Sequence, residues 1–131
     1  MRTRKLILIG FVCLFVVLFW YWRSYITYDG EVSHFEAKVR QKVDPAQLQA
    51  WALDLLQQYS SSNNNYIHVF PAYIKDLSSR HYSGVVSPQG YVHISWSGPG
   101  DGWGLDIGPT NFDGAGTGKE MWRPGIYFWR Q

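Results

Sequence analysis

The chain begins with a long apolar stretch that is bounded by basic and aromatic residues. Leu6–Trp22 contains no charged side chain in seventeen positions. As a helix with a rise of about 1.5 Å per residue it would measure roughly 26 Å, close to the ~30 Å hydrocarbon core of a bilayer. The Lys and Arg cluster at positions 2–5 predicts that the N-terminus stays in the cytoplasm, and the aromatic residues at 20–22 suit the opposite interface.

Three fates are open to this segment: an uncleaved anchor, a cleaved signal peptide or a lipoprotein signal. Cleavage needs small residues at the −3 and −1 positions, and no such pair stands between Phe19 and Gly30. Cys13 does not follow the small residue that lipidation would need. We therefore predict a cytoplasmic basic flank and transmembrane signal-anchor helix over residues 1–23, and a small exported domain over residues 24–131. The lipid bilayer is then a partner, and the location is the cell (inner) membrane, crossed once.

Two amphipathic helical patterns follow the apolar stretch. In Glu31–Val43 apolar residues recur at spacings of three and four, which is typical of a helix with one buried face and could extend the membrane helix outward. Asp44 and Pro45 then offer an N-cap and a proline at the first helical position. Ala46–Tyr59 carries apolar residues along one broad face, and the Ser and Asn run Ser60–Asn65 ends it as a polar loop.

After the polar run the period of apolar residues changes from 3.6 to 2, which predicts strands. Ser87-Pro88-Gln89-Gly90 has the composition of a tight turn. We predict the strands Val85-Val86, Tyr91–Trp96, Trp103–Ile107 and Ile126–Arg130, with Tyr66–Phe70 as a weaker candidate. Their alternation predicts that five side chains face the helix Ala46–Tyr59, namely those of Val92, Ile94, Trp96, Leu105 and Ile107. The expected fold class is α+β: an N-terminal transmembrane helix, then one or two amphipathic helices packed on a small antiparallel β-meander.

The charge balance excludes one large class of partners. The chain has twelve Lys and Arg against ten Asp and Glu, but four of the positive residues flank the apolar stretch. From residue 24 onward eight Lys and Arg face ten Asp and Glu, a net charge of −2. Nucleic-acid binding depends on clustered Lys and Arg, so we expect no nucleic-acid partner. Cys13 is the only cysteine, so the chain can form neither an internal disulfide nor a cysteine-rich metal site.

The glycine-rich segment between Gly108 and Pro124 shows no clear period and is expected to be a long loop. Within it, three oxygen-bearing side chains match three positions of a calcium-binding loop: Asn111, Asp113 and Glu120. The first position of such a loop falls on a proline, so the match is weak. The alternative is a glycine turn in which these residues bond to the backbone. No cofactor-binding motif is found, and we expect none.

Catalytic chemistry has little support in the sequence. The four histidines show no metal-ligand spacing, and none lies in a nucleophile motif. His93 could meet Asp101 or Asp106 across a hairpin, which would be the basis of an acid–base pair. The alternative is a partly exposed strand histidine without a function. We therefore expect a protein that is not an enzyme, unless a pocket joins His93 to a carboxylate.

Tryptophans among glycines provide a second candidate site. Trp103 and Trp122 lie beside the glycine-rich segments, and glycine alternates with other residues from Gly98 to Gly104. A flat aromatic ring beside polar groups such as those of His93, Asp101 and Asp106 is suited to stacking against a sugar. The alternative for Trp103 and Trp122 is core packing, because a small domain without disulfides depends on large aromatic side chains for burial.

The order of parts resembles a type IV pilin or pseudopilin, with a basic start, an apolar helix, an extended helix and an antiparallel sheet. The family's processing signature places Phe after a glycine that ends the basic leader, with a glutamate shortly after. Here Gly10-Phe11 stands inside the apolar stretch, and Phe15 occupies the glutamate position. The resemblance implies a pilin-like assembly subunit that lacks the processing signature.

The expected function is a single-pass, membrane-anchored protein with a small non-catalytic extracytoplasmic binding or scaffolding domain. A cell-envelope glycan-binding domain that uses Trp and glycine-rich loops is the first alternative, and the pilin-like assembly subunit is the second. The expected partner besides the bilayer is an envelope protein or a glycan.

Overall fold

A computed structural model describes residues 2–59, 65–98, 101–114 and 119–131. The chain is α+β, with a long N-terminal apolar helix, short helices and a six-stranded antiparallel sheet. Its contacts divide it into two compact units, Met1–Ser33 and His34–Gln131. The first unit is helical throughout its described residues, and the second contains the whole sheet.

Helix α1 spans Arg2–Lys42 without a break, so the second helical pattern is a continuation of the apolar helix. The large apolar side chains of Leu6–Trp22 are all at least half exposed. Of the described helices, α1 is the one that is long and apolar enough to cross a membrane. This helix is compatible with a single-pass membrane protein.

Helix α2 (Pro45–Gln58) begins where the sequence predicts. The Asp44 carboxylate accepts a hydrogen bond of 2.9 Å from the Ala46 N–H and so caps the helix. Leu48 and Ala52 are fully buried on its inner face. A one-turn helix, α3 (Ala72–Lys75), lies later in the chain and buries Ile74.

The six strands form one antiparallel sheet in the order β1-β2-β3-β4-β6-β5. Their bounds are Asn65–Tyr66 (β1), His81–Ser87 (β2), Tyr91–Gly98 (β3), Asp101–Ile107 (β4), Lys119–Arg123 (β5) and Ile126–Arg130 (β6). The predicted meander is confirmed for its four strands, because β2, β3, β4 and β6 pair consecutively and antiparallel, and the unpredicted strand β5 is added at the edge beside β6. The expected long loop after Gly108 therefore contains strand β5.

The weaker strand candidate Tyr66–Phe70 is a strand only at Tyr66. Its later residues are not in a strand, although the Ile67 N–H still donates to the Gly84 carbonyl over 2.9 Å. The side chains of Phe70 and Ile67 lie close to Gly84, where an added Cβ would be 2.7 Å and 3.0 Å from them. The predicted polar run Ser60–Asn65 falls outside the described residues except for Asn65, which begins β1.

The predicted tight turn between β2 and β3 is confirmed. The Gly90 N–H donates to the Ser87 carbonyl over 3.1 Å, and Gly90 has a φ of 90°, which glycine adopts without strain.

One face of the sheet, here called the first face, packs against α2 and forms the core. The predicted inward-facing residues are all fully buried: Val92, Ile94, Trp96, Leu105 and Ile107. Phe35 adds to this core, with its ring centroid 4.7 Å from that of Trp96. The strand phase predicted from the alternation is thus confirmed.

Candidate functional site

The side chains of the opposite face, here called the second face, form a polar and aromatic cluster. In the strand register, His93 lies directly across from Asp106, and Asp106 from Tyr127. Trp129 lies across from both Gly104 and Lys119. Pairing between β3, β4, β6 and β5 therefore brings residues from four strands to one place.

Asp106 is the buried charge at the centre of this cluster. It is 1% exposed, and its two oxygens have different partners. Oδ1 lies 2.5 Å from Nδ1 of His93, and Oδ2 lies 2.8 Å from Nζ of Lys119. A buried carboxylate is costly unless its oxygens are satisfied by donors, so His93 and Lys119 together stabilise Asp106.

The contacts with Asp106 orient its two partners. A carboxylate accepts hydrogen bonds, so Nδ1 of His93 is the donor and Nε2 remains for a ligand. The hydrogen bond to Asp106 raises the pKa of Lys119 above its usual value, although partial burial acts in the opposite direction. Lys119 is therefore stabilised by Asp106 in its protonated ammonium form and is a poor nucleophile.

Trp129 forms one wall of the site and depends on the glycines of β4. A Cβ at Gly104 would lie 2.9 Å from its Nε1 atom, and one at Gly102 would lie 3.8 Å from its Cη2 atom. The indole therefore packs directly against the backbone of these two glycines. It is stacked with His93, with ring centroids 4.9 Å apart and planes 17° apart.

Tyr91 forms the other wall. Its ring is stacked with Phe112 at 4.9 Å, and the Lys119 ammonium lies 5.7 Å from its centroid. Phe112 in turn meets Tyr127 edge to face at 5.7 Å and accepts a hydrogen bond from the Tyr127 hydroxyl. These contacts fix Tyr91 against the segment that follows β4.

A cavity of about 220 Å³ opens between these walls. It is lined by Tyr91, His93, Asp106, Lys119, Trp129, Arg130 and Gln131, and we call it the second-face cleft. Its side chains provide aromatic carbon on the walls, with one imidazole and one ammonium group between them. The arrangement can bind a small ring-shaped molecule and hydrogen-bond to its substituents.

The site residues proposed from sequence separate into those inside the cleft and those outside it. His93 and Asp106 come together in the cleft. Asp101 begins β4 at the far end of the hairpin, opposite Gly98, and its side chain lies outside the described part of the structure. Trp103 is 2% exposed in the core, and half-buried Trp122 packs against Phe128 with ring centroids 5.7 Å apart.

The candidate cation loop is described only in part. Glu120 makes an ion pair of 3.1 Å with Arg40, whereas Asn111 and Asp113 are exposed in the segment after β4. Residues 115–118 of this loop lie outside the described residues. Among the residues that are described, no three His, Cys, Asp or Glu side chains are grouped as metal ligands.

Tyr91, Lys119 and Trp129 belong to the cleft but were not among the sequence candidates. A signal for Trp129 exists in the alternation of β6: Ile126 and Phe128 face the core, so Trp129 must face the other side. No comparable signal marks Lys119, because its strand shows no clean alternation.

Comparison of the chain with family models, with curated proteins and with solved structures finds no match in any of the three. The function is therefore argued from the cleft and from helix α1.

Proposed function

We propose that this protein is a single-pass, membrane-anchored binding protein whose extracytoplasmic domain takes a small ligand in the second-face cleft. The observation that carries the proposal is the His93–Asp106–Lys119 trio, which lines a cavity together with Trp129. Buried charge of this kind is costly, and the raised pKa of Lys119 beside Asp106 fits a functional site, where perturbed ionisable groups concentrate.

The pairing of His93 with a carboxylate in a pocket also suits general acid–base chemistry, but the neighbouring groups favour binding. The nearest serine on the same face of β3, Ser95, has its hydroxyl 3.4 Å from that of Ser83. Lys119 is held as an ammonium by Asp106. Among the described residues neither group is thus a nucleophile activated by His93, as covalent catalysis would need.

The exposed apolar surface of α1 supports the anchor. Its large apolar side chains from Leu6 to Trp22 are 51–75% exposed, with Tyr21 at the upper limit. So large an apolar surface is unfavourable in water and favourable in hydrocarbon. The basic residues at positions 2–5 support a cytoplasmic N-terminus and hence an exported cleft.

The topology can be tested with single cysteines in a Cys13→Ser chain. Gln89, exposed in the β2–β3 turn, and Thr3, at the basic end of α1, are each replaced by cysteine. In intact cells a membrane-impermeant maleimide should label Gln89→Cys and leave Thr3→Cys unlabelled until lysis. Labelling of Thr3→Cys alone in intact cells would refute the orientation.

Binding can be tested on the full-length chain in detergent micelles. Panels of saccharides, short peptides, carboxylates and phosphates are screened by thermal shift against wild type, His93→Gln and His81→Gln. His81 is an exposed histidine at the start of β2 and serves as the control. It pairs with Ser97, four residues along β3 from His93. We expect ligands whose shift disappears in His93→Gln and persists in His81→Gln. Equal shifts in both variants, or no ligand in any panel, would contradict the proposal.

A further inference from the structure

We infer that the ligand of the second-face cleft is an uncharged saccharide, of which the cleft takes one ring. This inference rests on the proposed function and adds the chemical class of the ligand. It depends on the charge balance of the cleft, its hydrogen-bonding groups, its walls and its volume.

Among the described residues of the cleft, the Lys and Arg side chains are each paired with a carboxylate. The Lys119 ammonium is paired with Asp106 at 2.8 Å, and the Arg130 guanidinium lies 3.6 Å from the Glu36 carboxylate. An anionic ligand at the remaining N–H donors of Lys119 would lie beside the Asp106 carboxylate, which already balances that cation and would repel a second anion. A cationic ligand would meet the Lys119 ammonium directly. Both arrangements are unfavourable in a partly buried site, so an uncharged ligand fits best.

The polar groups of the cleft match hydroxyl groups. Nδ1 of His93 is directed to Asp106, so Nε2 is the ring nitrogen that can bond to a ligand hydroxyl. The Lys119 ammonium has three N–H donors, and its bond to Asp106 uses one of them. Neighbouring hydroxyls on a sugar ring can donate to the imidazole and accept from the ammonium at the same time. An apolar ring would leave both groups without a partner.

The walls match the apolar face of such a ring. Tyr91 and Trp129 are half-buried, so each presents ring carbon to the cleft. Both are held by other rings, Phe112 at 4.9 Å from Tyr91 and His93 at 4.9 Å from Trp129. Rigid aromatic walls lose little conformational entropy when a ligand binds.

The volume limits the ligand to one ring. An apolar cavity of about 150 Å³ holds benzene, so a cleft of about 220 Å³ holds one six-membered ring with its substituents. The cleft is open to solvent, and on the neighbouring strands the same face carries the short side chains Ser83 and Ser95. A longer glycan can therefore place one residue in the cleft and extend beyond it.

The experiment measures saccharide binding to the full-length chain in micelles of a detergent without a sugar headgroup. Neutral hexoses, N-acetylhexosamines and their short oligomers are compared with the corresponding uronic acids by saturation-transfer NMR and titration calorimetry. We expect the neutral sugars to bind at least tenfold more tightly than the uronic acids, with affinity unchanged between 50 and 500 mM salt, since ionic ligands alone are screened.

The variants are Lys119→Gln, which removes the ammonium, and Tyr91→Leu, which removes an aromatic wall. Each should weaken binding at least tenfold, whereas His81→Gln should change it less than twofold. Tighter binding of the uronic acids, or a loss of affinity with salt, would overturn the uncharged class. If no saccharide binds but another ligand class gives a thermal shift that depends on His93, this inference is overturned and the proposed function stands. Absence of any hit would overturn both.

Discussion

Two glycines of β4 offer a sharp test of how the second face is built. Gly102 and Gly104 are both buried, lie on the same face of the same strand and contact the same indole. Their surroundings differ in how much space a side chain would have. A Cβ at Gly104 would lie 1.9 Å from the Ile94 carbonyl oxygen, whereas a Cβ at Gly102 would lie 3.5 Å from its nearest atom, the Trp96 carbonyl oxygen.

The Gly104→Ala change therefore forces the backbone to move. Real Cβ contacts essentially never fall below 3.0 Å, so β4 must shift against β3 by about the difference of 1.1 Å. Overpacking of this kind costs about 1–3 kcal/mol, and each ladder hydrogen bond that is lost adds about 0.5–1.5 kcal/mol. With two ladder hydrogen bonds lost, we expect the free energy of unfolding to fall by about 2–6 kcal/mol. Gly102→Ala meets only ordinary contacts and should raise it by up to about 1 kcal/mol, since alanine loses less backbone entropy.

The assay is urea unfolding of the full-length chain in micelles, followed by tryptophan fluorescence and circular dichroism. Coincident transitions and equal m-values would show that both variants unfold as the wild type does. If the two substitutions differ by less than about 0.5 kcal/mol, or if Gly102→Ala is the more harmful, the close approach of β4 to β3 at Gly104 is not as described.

Three further predictions concern stability. Ile94→Ala should lower the free energy of unfolding by about 2–5 kcal/mol in the same assay, because it leaves a cavity in the core; a change below about 0.5 kcal/mol would contradict the strand phase. Tyr73→Phe should raise it by about 1 kcal/mol, because the buried Tyr73 hydroxyl has no hydrogen-bond partner among the described residues; a loss of stability would reveal a partner. The bond to Asp106 raises the pKa of Lys119 in the folded protein. The contribution of this pair to the free energy of unfolding is therefore complete below about pH 10.5 and is lost as pH rises through the native pKa of Lys119. Burial, and then the Asp44 charge, raise the pKa of Tyr73, which also lowers stability above about pH 10. Lys119→Met should therefore be compared in a Tyr73→Phe background, where it should flatten the urea midpoint between pH 9 and 12; an unchanged slope would exclude the Lys119–Asp106 pair as its cause.

The sequence was most informative where periodicity decides the structure. Alternation in β3 and β4 predicts which side chains are buried, and the Asp44-Pro45 pair predicts the start of α2. The pairing of β6 with β4 agrees with the predicted meander. Strand β5 was missed because its charged residues and its bulge between Met121 and Arg123 obscure the period.

The sequence predicted some residues of the candidate site and missed others. His93 and Asp106 lie on one hairpin, so their approach follows from local register. Lys119 joins them only through the strand order, which the sequence does not reveal. The alternating glycines were associated with ligand recognition, but at Gly102 and Gly104 they make room for Trp129. Local spacing cannot distinguish a surface left free for a ligand from one that accommodates a distant side chain.

The strand order also has a consequence for the time course of folding. Strands β3 and β2 are joined by three residues, 88–90, whereas β4 and β6 meet only after the eighteen residues 108–125 have closed into a loop. Loop closure over this longer span costs about 1.6 kcal/mol more in chain entropy. The His93–Asp106 pair belongs to the local hairpins, but Trp129 and Lys119 arrive with β6 and β5. We therefore expect the cleft to mature in the last kinetic phase of refolding, with the fluorescence of Trp129 reporting its completion.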